Sequence, residues 1–217
     1  MNVAVLYGLV LSGPARATPG SLEVLLADEL DRMVDHLAQA EIPPHYVAIS
    51  VTDREDLELS ARDGTLAEDS TRQARYLDVD LRAGTPGLDS THPLRGFSAM
   101  EDDDRAAVMV PRGEGFALRH ALWRELDDRY HDAAERIVMI RANRNVKVEE
   151  EIPAPDFERR SPVIDRLEIP DLQLDTGAWS EHLIALAEAL DADPDAHNSS
   201  VTLVADRTVT TFVDTEG

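Results

Sequence analysis

Between Ser21 and Ala40 the apolar residues Leu22, Leu26, Leu30, Met33 and Leu37 recur at steps of three or four. Asp28, Asp31 and Asp35 fall towards the opposite side. That period predicts an amphipathic surface helix, capped at Ser21 and ended by Pro43-Pro44. From His45 the period changes to two, with Val47, Ile49 and Val51 alternating with Tyr46, Ala48 and Ser50, the pattern of a strand. Asp53-Arg54 is read as a turn, after which Leu57, Leu59 and Ala61 alternate again. Asp63-Gly64 predicts a two-residue hairpin of type I′, which needs positive φ at both central positions. The polar stretch "AEDSTRQAR" leads into "YLDVDLRAG", where Leu77, Val79 and Leu81 oppose Asp78, Asp80 and Arg82. One apolar face implies an antiparallel sheet with one solvated side. Gly84 to Gly87 predict a further turn, and "AAVMVP" (106–111) is either a short strand or the approach to a helix.

Helical spacing returns from Phe116 to about Arg141, with Leu118, Leu122, Leu126, Tyr130, Ala133, Ile137 and Ile140 on one stripe. Asp127-Asp128 is the point where that helix would break. Residues 146–175 read as irregular, because "VEEEIPAPDFERRSP" combines three prolines with an acidic run. Asp175 or Thr176 then caps a helix containing Trp179, Leu183, Leu186 and Leu190. Val201, Leu203 and Ala205 are read as pairing with 208–213 across Asp206-Arg207. Strands grouped apart from helices predict an α+β fold. The expected architecture is a largely antiparallel sheet on amphipathic helices, with a long central helix and a C-terminal helix plus hairpin.

Composition narrows the partners. The 217 residues carry 43 acidic against 21 basic side chains, a formal charge of −22. A field of that sign repels phosphate backbones, so no nucleic-acid partner is expected. Aromatic content is 5% within 43% hydrophobic residues, so the core must be mostly aliphatic. With no cysteine, disulfides, thiolate metal sites and a Cys nucleophile are excluded. No apolar run reaches the ~18 residues of a spanning helix, so no membrane span is expected. "VAVLYGLVLSG" followed by Pro14 and Ala15-Arg16-Ala17 has the form of an export signal, giving residues 1–20 as a possible signal peptide and 21–217 as the domain. That places the protein in the periplasm or outside the cell. The short Met1-Asn2 start lacks Lys and Arg, which leaves a buried first strand and a cytoplasmic location as the alternative.

No convincing catalytic set emerges from the residues. None of His36, His45, His92, His120, His131, His182 and His197 forms an H-E-x-x-H pair. "EDDDR" (101–105) lacks the alternating ligands and glycine of a calcium loop and reads as a solvated charge run. Neither a nucleophile elbow nor a phosphate-cradling loop is found. The most site-like segment is "LDSTHP", whose Asp89, Thr91 and His92 surround Ser90 in a polar turn. Sequence neighbours seldom converge as nucleophile, base and orienter. An Asx turn, with Asp89 accepting backbone N–H groups, is therefore the preferred reading of this turn over a small hydrolase.

Taken in order, "PPHYVAISVTD", "ELSARDGTL", "RQARYLDVDLRAG", "LDSTHP", "ALRHALWRELDDRYHDA", "PDFERRSP", "WSEHLIALAEAL" and "FVDTEG" resemble the N-terminal region of the TldD/PmbA family of metallopeptidases, across roughly residues 22–217. The resemblance implies an N-terminal domain without catalytic or metal-binding residues of its own. Zinc, held in the family by an H-E-x-x-x-H helix, is implied only for a C-terminal peptidase domain that these residues do not include. It further implies a homo- or hetero-dimer with a family member, a chamber for small or unfolded peptides, and the peptidase domain as partner. Where the family usually has Asn-Ser-Glu-Gly, this chain has Asp214-Thr215-Glu216-Gly217. The alternative expectation is a free-standing, metal-free binding or scaffold module derived from such a peptidase. Exposed strand edge at Thr208–Val213 is the expected docking edge for a partner.

Overall fold

A computed structural model of the protein describes residues 21–94, 106–113, 115–144, 154–167, 169–196 and 199–216. The signal-like segment 1–20, the "EDDDR" run and His197 lie outside the described residues. The chain is α+β. Its elements are α1 (Ser21–Leu37), β1 (Pro44–Arg62), β2 (Thr65–Thr85), β3 (Leu88–Asp89), β4 (Val108–Met109), α2 (Phe116–Arg144), α3 (Thr176–Asp191) and β5 (Ser200–Asp214). The antiparallel sheet runs β3-β2-β1-β5, with β4 also paired to β2. Gly84 is the register partner of Asp89, and Tyr76 of Met109.

The chain divides into two compact units. One comprises residues 18–52, 75–166 and 210–217. Its core is the predicted stripe of α1 together with Ile49, Leu77, Leu118, Leu122 and Leu126, all fully buried or nearly so. The other holds 53–74 and 167–209, along with residues 1–17 of the undescribed N-terminus. Here Leu57, Leu59 and Ala61 pack with Leu183, Ala187, Val201 and Leu203. The Asp175 side chain caps α3 by accepting from the Ala178 N–H at 3.0 Å.

Three sequence expectations are corrected. Asp53-Arg54 is no turn: β1 runs through it, and Arg54 Nε reaches Asp56 Oδ1 at 2.8 Å, as residues two apart on one strand face can. The C-terminal hairpin is likewise one strand, β5, in which Arg207 donates to the carbonyls of Pro170 and Ile169 at 2.8 and 3.2 Å. Neither dipeptide has the positive φ of a two-residue hairpin; among the described non-glycine residues only Asp63 does, at φ 50°, beside Gly64 at 66°. The predicted Asp63-Gly64 hairpin is where the chain turns. Nor does α2 break at Asp127-Asp128, both exposed to water. Arg129 bonds Glu125 at 2.9 Å one turn back and so spans the suspected break.

Gly84 sets the path of the chain into β3. Its φ of +112° lets β2 fold back on β3, and a Cβ there would sit 2.7 Å from the Leu88 carbonyl oxygen. Only glycine meets both conditions without strain.

Candidate functional site

β3 ends on Asp89, and the chain then turns through Ser90, Thr91 and His92. Ser90 extends the ladder of β2, its N–H donating to the Ala83 carbonyl at 3.0 Å and its Oγ accepting from the Ala83 N–H at 3.2 Å. The Asp89 carboxylate is completely buried. Its Oδ1 accepts from the Thr91 N–H at 2.8 Å and from the Thr91 hydroxyl at 2.6 Å, the Asx turn expected from "LDSTHP". Its Oδ2 lies 3.1 Å from Nε2 of His45, 44 residues earlier at the start of β1.

A second carboxylate closes the cluster from the irregular segment after α2. Asp156 Oδ2 accepts from the Asp89 N–H at 2.9 Å, and Oδ1 lies 2.7 Å from Nδ1 of His92. The Phe157 N–H donates to the Pro86 carbonyl at 3.0 Å. Its ring meets His45 edge-on at 5.3 Å and Tyr46 at 4.8 Å between centroids. The Arg82 guanidinium sits 5.2 Å from the Phe157 centroid and 5.7 Å from that of Tyr46, within reach of both ring faces. The end of β5 adds the last side. Val47 N–H donates to Thr215 Oγ1 at 3.2 Å, Thr215 N–H to the Val47 carbonyl at 3.0 Å, and Tyr46 hydroxyl approaches Asp214 Oδ2 at 3.5 Å.

Burial, and then the charges of Asp214 and Asp80, push the Tyr46 hydroxyl up to about 12, with Arg82 pulling the other way. Below pH 10 the phenol is neutral folded and unfolded; between pH 10 and 12 only the unfolded chain ionises, so stability falls through that window. Spectrophotometric titration of the four tyrosines should show one ionising near pH 12, and Tyr46→Phe should remove that step and flatten the alkaline loss of stability. A Tyr46 step at the ordinary value would contradict this environment.

The direction of its polar atoms limits the chemistry open to the cluster. The Thr91 hydroxyl is spent on Asp89 and the His92 ring on Asp156. Asp89, Thr91 and His92 thus share one turn, yet hydroxyl and imidazole do not face each other as nucleophile and base must. His45 Nδ1 is buried without a hydrogen-bond partner. A proton there would be stranded, whereas a proton on Nε2 faces the Asp89 carboxylate. Among the described residues no three His, Asp or Glu side chains are grouped to hold a metal ion. His36, His120, His131 and His182 are helical and exposed. No helix among the described residues is long and apolar enough to cross a membrane.

His45, Tyr46, Arg82, Asp156 and Phe157 are site residues that sequence reasoning did not single out. Asp156-Phe157 sits between Pro155 and Glu158-Arg159-Arg160, in a stretch without periodicity, and its one local sign is an aromatic among charged neighbours. Comparison with protein-family models, curated proteins and solved structures finds no match to this chain.

Proposed function

We propose that this chain is the non-catalytic N-terminal domain of a TldD/PmbA-like zinc metallopeptidase, helping to wall a substrate chamber and to form a dimer interface. One observation supports the reading above the others. Five of the eight stretches that carry the resemblance meet at a single cluster: "PPHYVAISVTD" supplies His45 and Tyr46, "RQARYLDVDLRAG" Arg82, "LDSTHP" Asp89 and His92, "PDFERRSP" Asp156 and Phe157, and "FVDTEG" Asp214 and Thr215. His45 meets Asp89 from 44 residues away and Tyr46 meets Asp214 from 168, so stretches that share the resemblance gather at one place in the fold.

In this reading, zinc and bond cleavage belong to the H-E-x-x-x-H portion, and these residues position, wall and exclude. The restriction to small or unfolded peptides then comes from the shape of the assembled chamber. The test is direct. Purified chain, loaded with excess zinc and dialysed, should retain no stoichiometric metal by mass spectrometry and should leave casein and a random peptide library intact. Cleavage that a chelator abolishes would place the chemistry in this chain and end the proposal.

A further inference from the structure

From Ala154 to Asp165 the chain has neither helix nor strand, and ten of its twelve residues are exposed. The two exceptions are Asp156 and Phe157. They are gripped on several sides: the Asp156 carboxylate by the Asp89 N–H and the His92 ring, the Phe157 N–H by the Pro86 carbonyl. The Phe157 ring is met by His45, Tyr46 and Arg82. This is how proteins read an extended peptide: a main-chain bond sets register, directed donors select a carboxylate, and an aromatic and cationic slot takes a ring. Every receptor group is carried by β1, β2, β3 or the turns beside β3, whereas the occupant comes from an exposed connector.

The resident occupant also leaves the receptor unsaturated. His45, whose side chain is 8% exposed, keeps Nδ1 without a partner while Phe157 lies against its ring. Phe157 meets His45 with its ring and offers this nitrogen no donor.

We propose that this surface is a receptor for an extended peptide bearing aspartate followed by an aromatic residue, filled in cis by Asp156-Phe157, and that a partner chain carrying the same dipeptide takes their place. This anchor, with Glu216 also holding the Arg160 N–H at 3.2 Å and Arg159 at 3.7 Å, lies within exposed chain and opens by local unfolding, without loss of the core. Such a receptor would work in the same way whatever family the chain belongs to.

The experiment empties the site in the 217-residue chain. Asp156→Ala/Phe157→Ala, checked for native circular dichroism, is titrated with a fluorescein-labelled peptide of residues 154–160, APDFERR. The emptied variant should bind it saturably, and wild type about tenfold or more weakly, because its site is occupied. Alanine in place of the peptide's aspartate should cost about tenfold, as loss of a charged acceptor does. A folded variant that ignores the peptide, or binds the alanine form equally well, overturns the proposal. Should the variant unfold, amide exchange of wild type decides. The Phe157 and Ser90 N–H groups both bond carbonyls at 3.0 Å. Phe157 should exchange about tenfold or more faster, since it opens locally, and equal protection overturns the proposal.

Discussion

Asp89→Ala is expected to cost about 3 kcal/mol of folding stability, because a buried carboxylate that accepts from several donors is lost. Three groups lose their acceptor at once: Nε2–H of His45, the Thr91 N–H and the Thr91 hydroxyl. His45 would then hold both ring nitrogens unpartnered, since Nδ1 already has none. Each stranded donor costs roughly 1–3 kcal/mol, and partial relaxation of the turn towards water keeps the total below the plain sum. Asp89→Asn keeps an acceptor for Thr91 but loses the charge, and should cost about half as much. Urea denaturation reads both values, with an unchanged slope marking the same unfolded state. An unfolding free energy for Asp89→Ala within ~0.5 kcal/mol of wild type would mean the cluster contributes no stability.

Glu29→Ala should be as severe, at about 3 kcal/mol. Glu29 projects from α1 into the core and is completely buried, yet it is ionically satisfied. Arg119 donates to one oxygen, and Trp123 Nε1 to the other at 2.8 Å, with Arg32 also paired at 3.3 Å. Removing the carboxylate leaves a cavity and an indole N–H with no acceptor. The Arg119 side chain is 40% exposed and can turn to water, which holds the cost near the bottom of the ~3–5 kcal/mol seen when buried pairs are broken. Glu29→Gln retains the acceptor for Trp123 and should cost about half. Tryptophan fluorescence during urea unfolding checks both; a Glu29→Ala protein as stable as wild type would refute this role of Glu29 in α1.

Much of this was legible in the order of residues, and the failures have physical causes. Glu29 stands seven positions after Leu22, three after Leu26 and four before Met33, so spacing alone assigns it to the core face. In a chain with 43 acidic residues, one carboxylate carries no mark that sets it apart. The two false turns had a remedy in parity. Facing residues across a two-residue hairpin lie three apart, so the buried set switches between odd and even numbers. Val47, Ile49 and Val51 are odd, and so are Leu57, Leu59 and Ala61 beyond Asp53-Arg54. Val201 and Leu203 share parity with Val213 beyond Asp206-Arg207. Asp53-Arg54 and Asp206-Arg207 put one charged side chain on each face of a continuous strand, and charge alone does not mark a turn. The Asx turn was readable because its donors and acceptor lie two residues apart. Its partners His45 and Asp156 were not, because a contact across 44 or 67 residues leaves no local period.

Distant stretches assemble around Asp89 and Asp156, and the two imidazoles report on that assembly. Nitrogen chemical shifts of ¹⁵N-labelled protein reveal which ring atom carries the proton. His45 should show a proton on Nε2 and a bare Nδ1, and His92 a proton on Nδ1 directed at Asp156. Both rings averaging between tautomers, as free imidazole does in water, would contradict it.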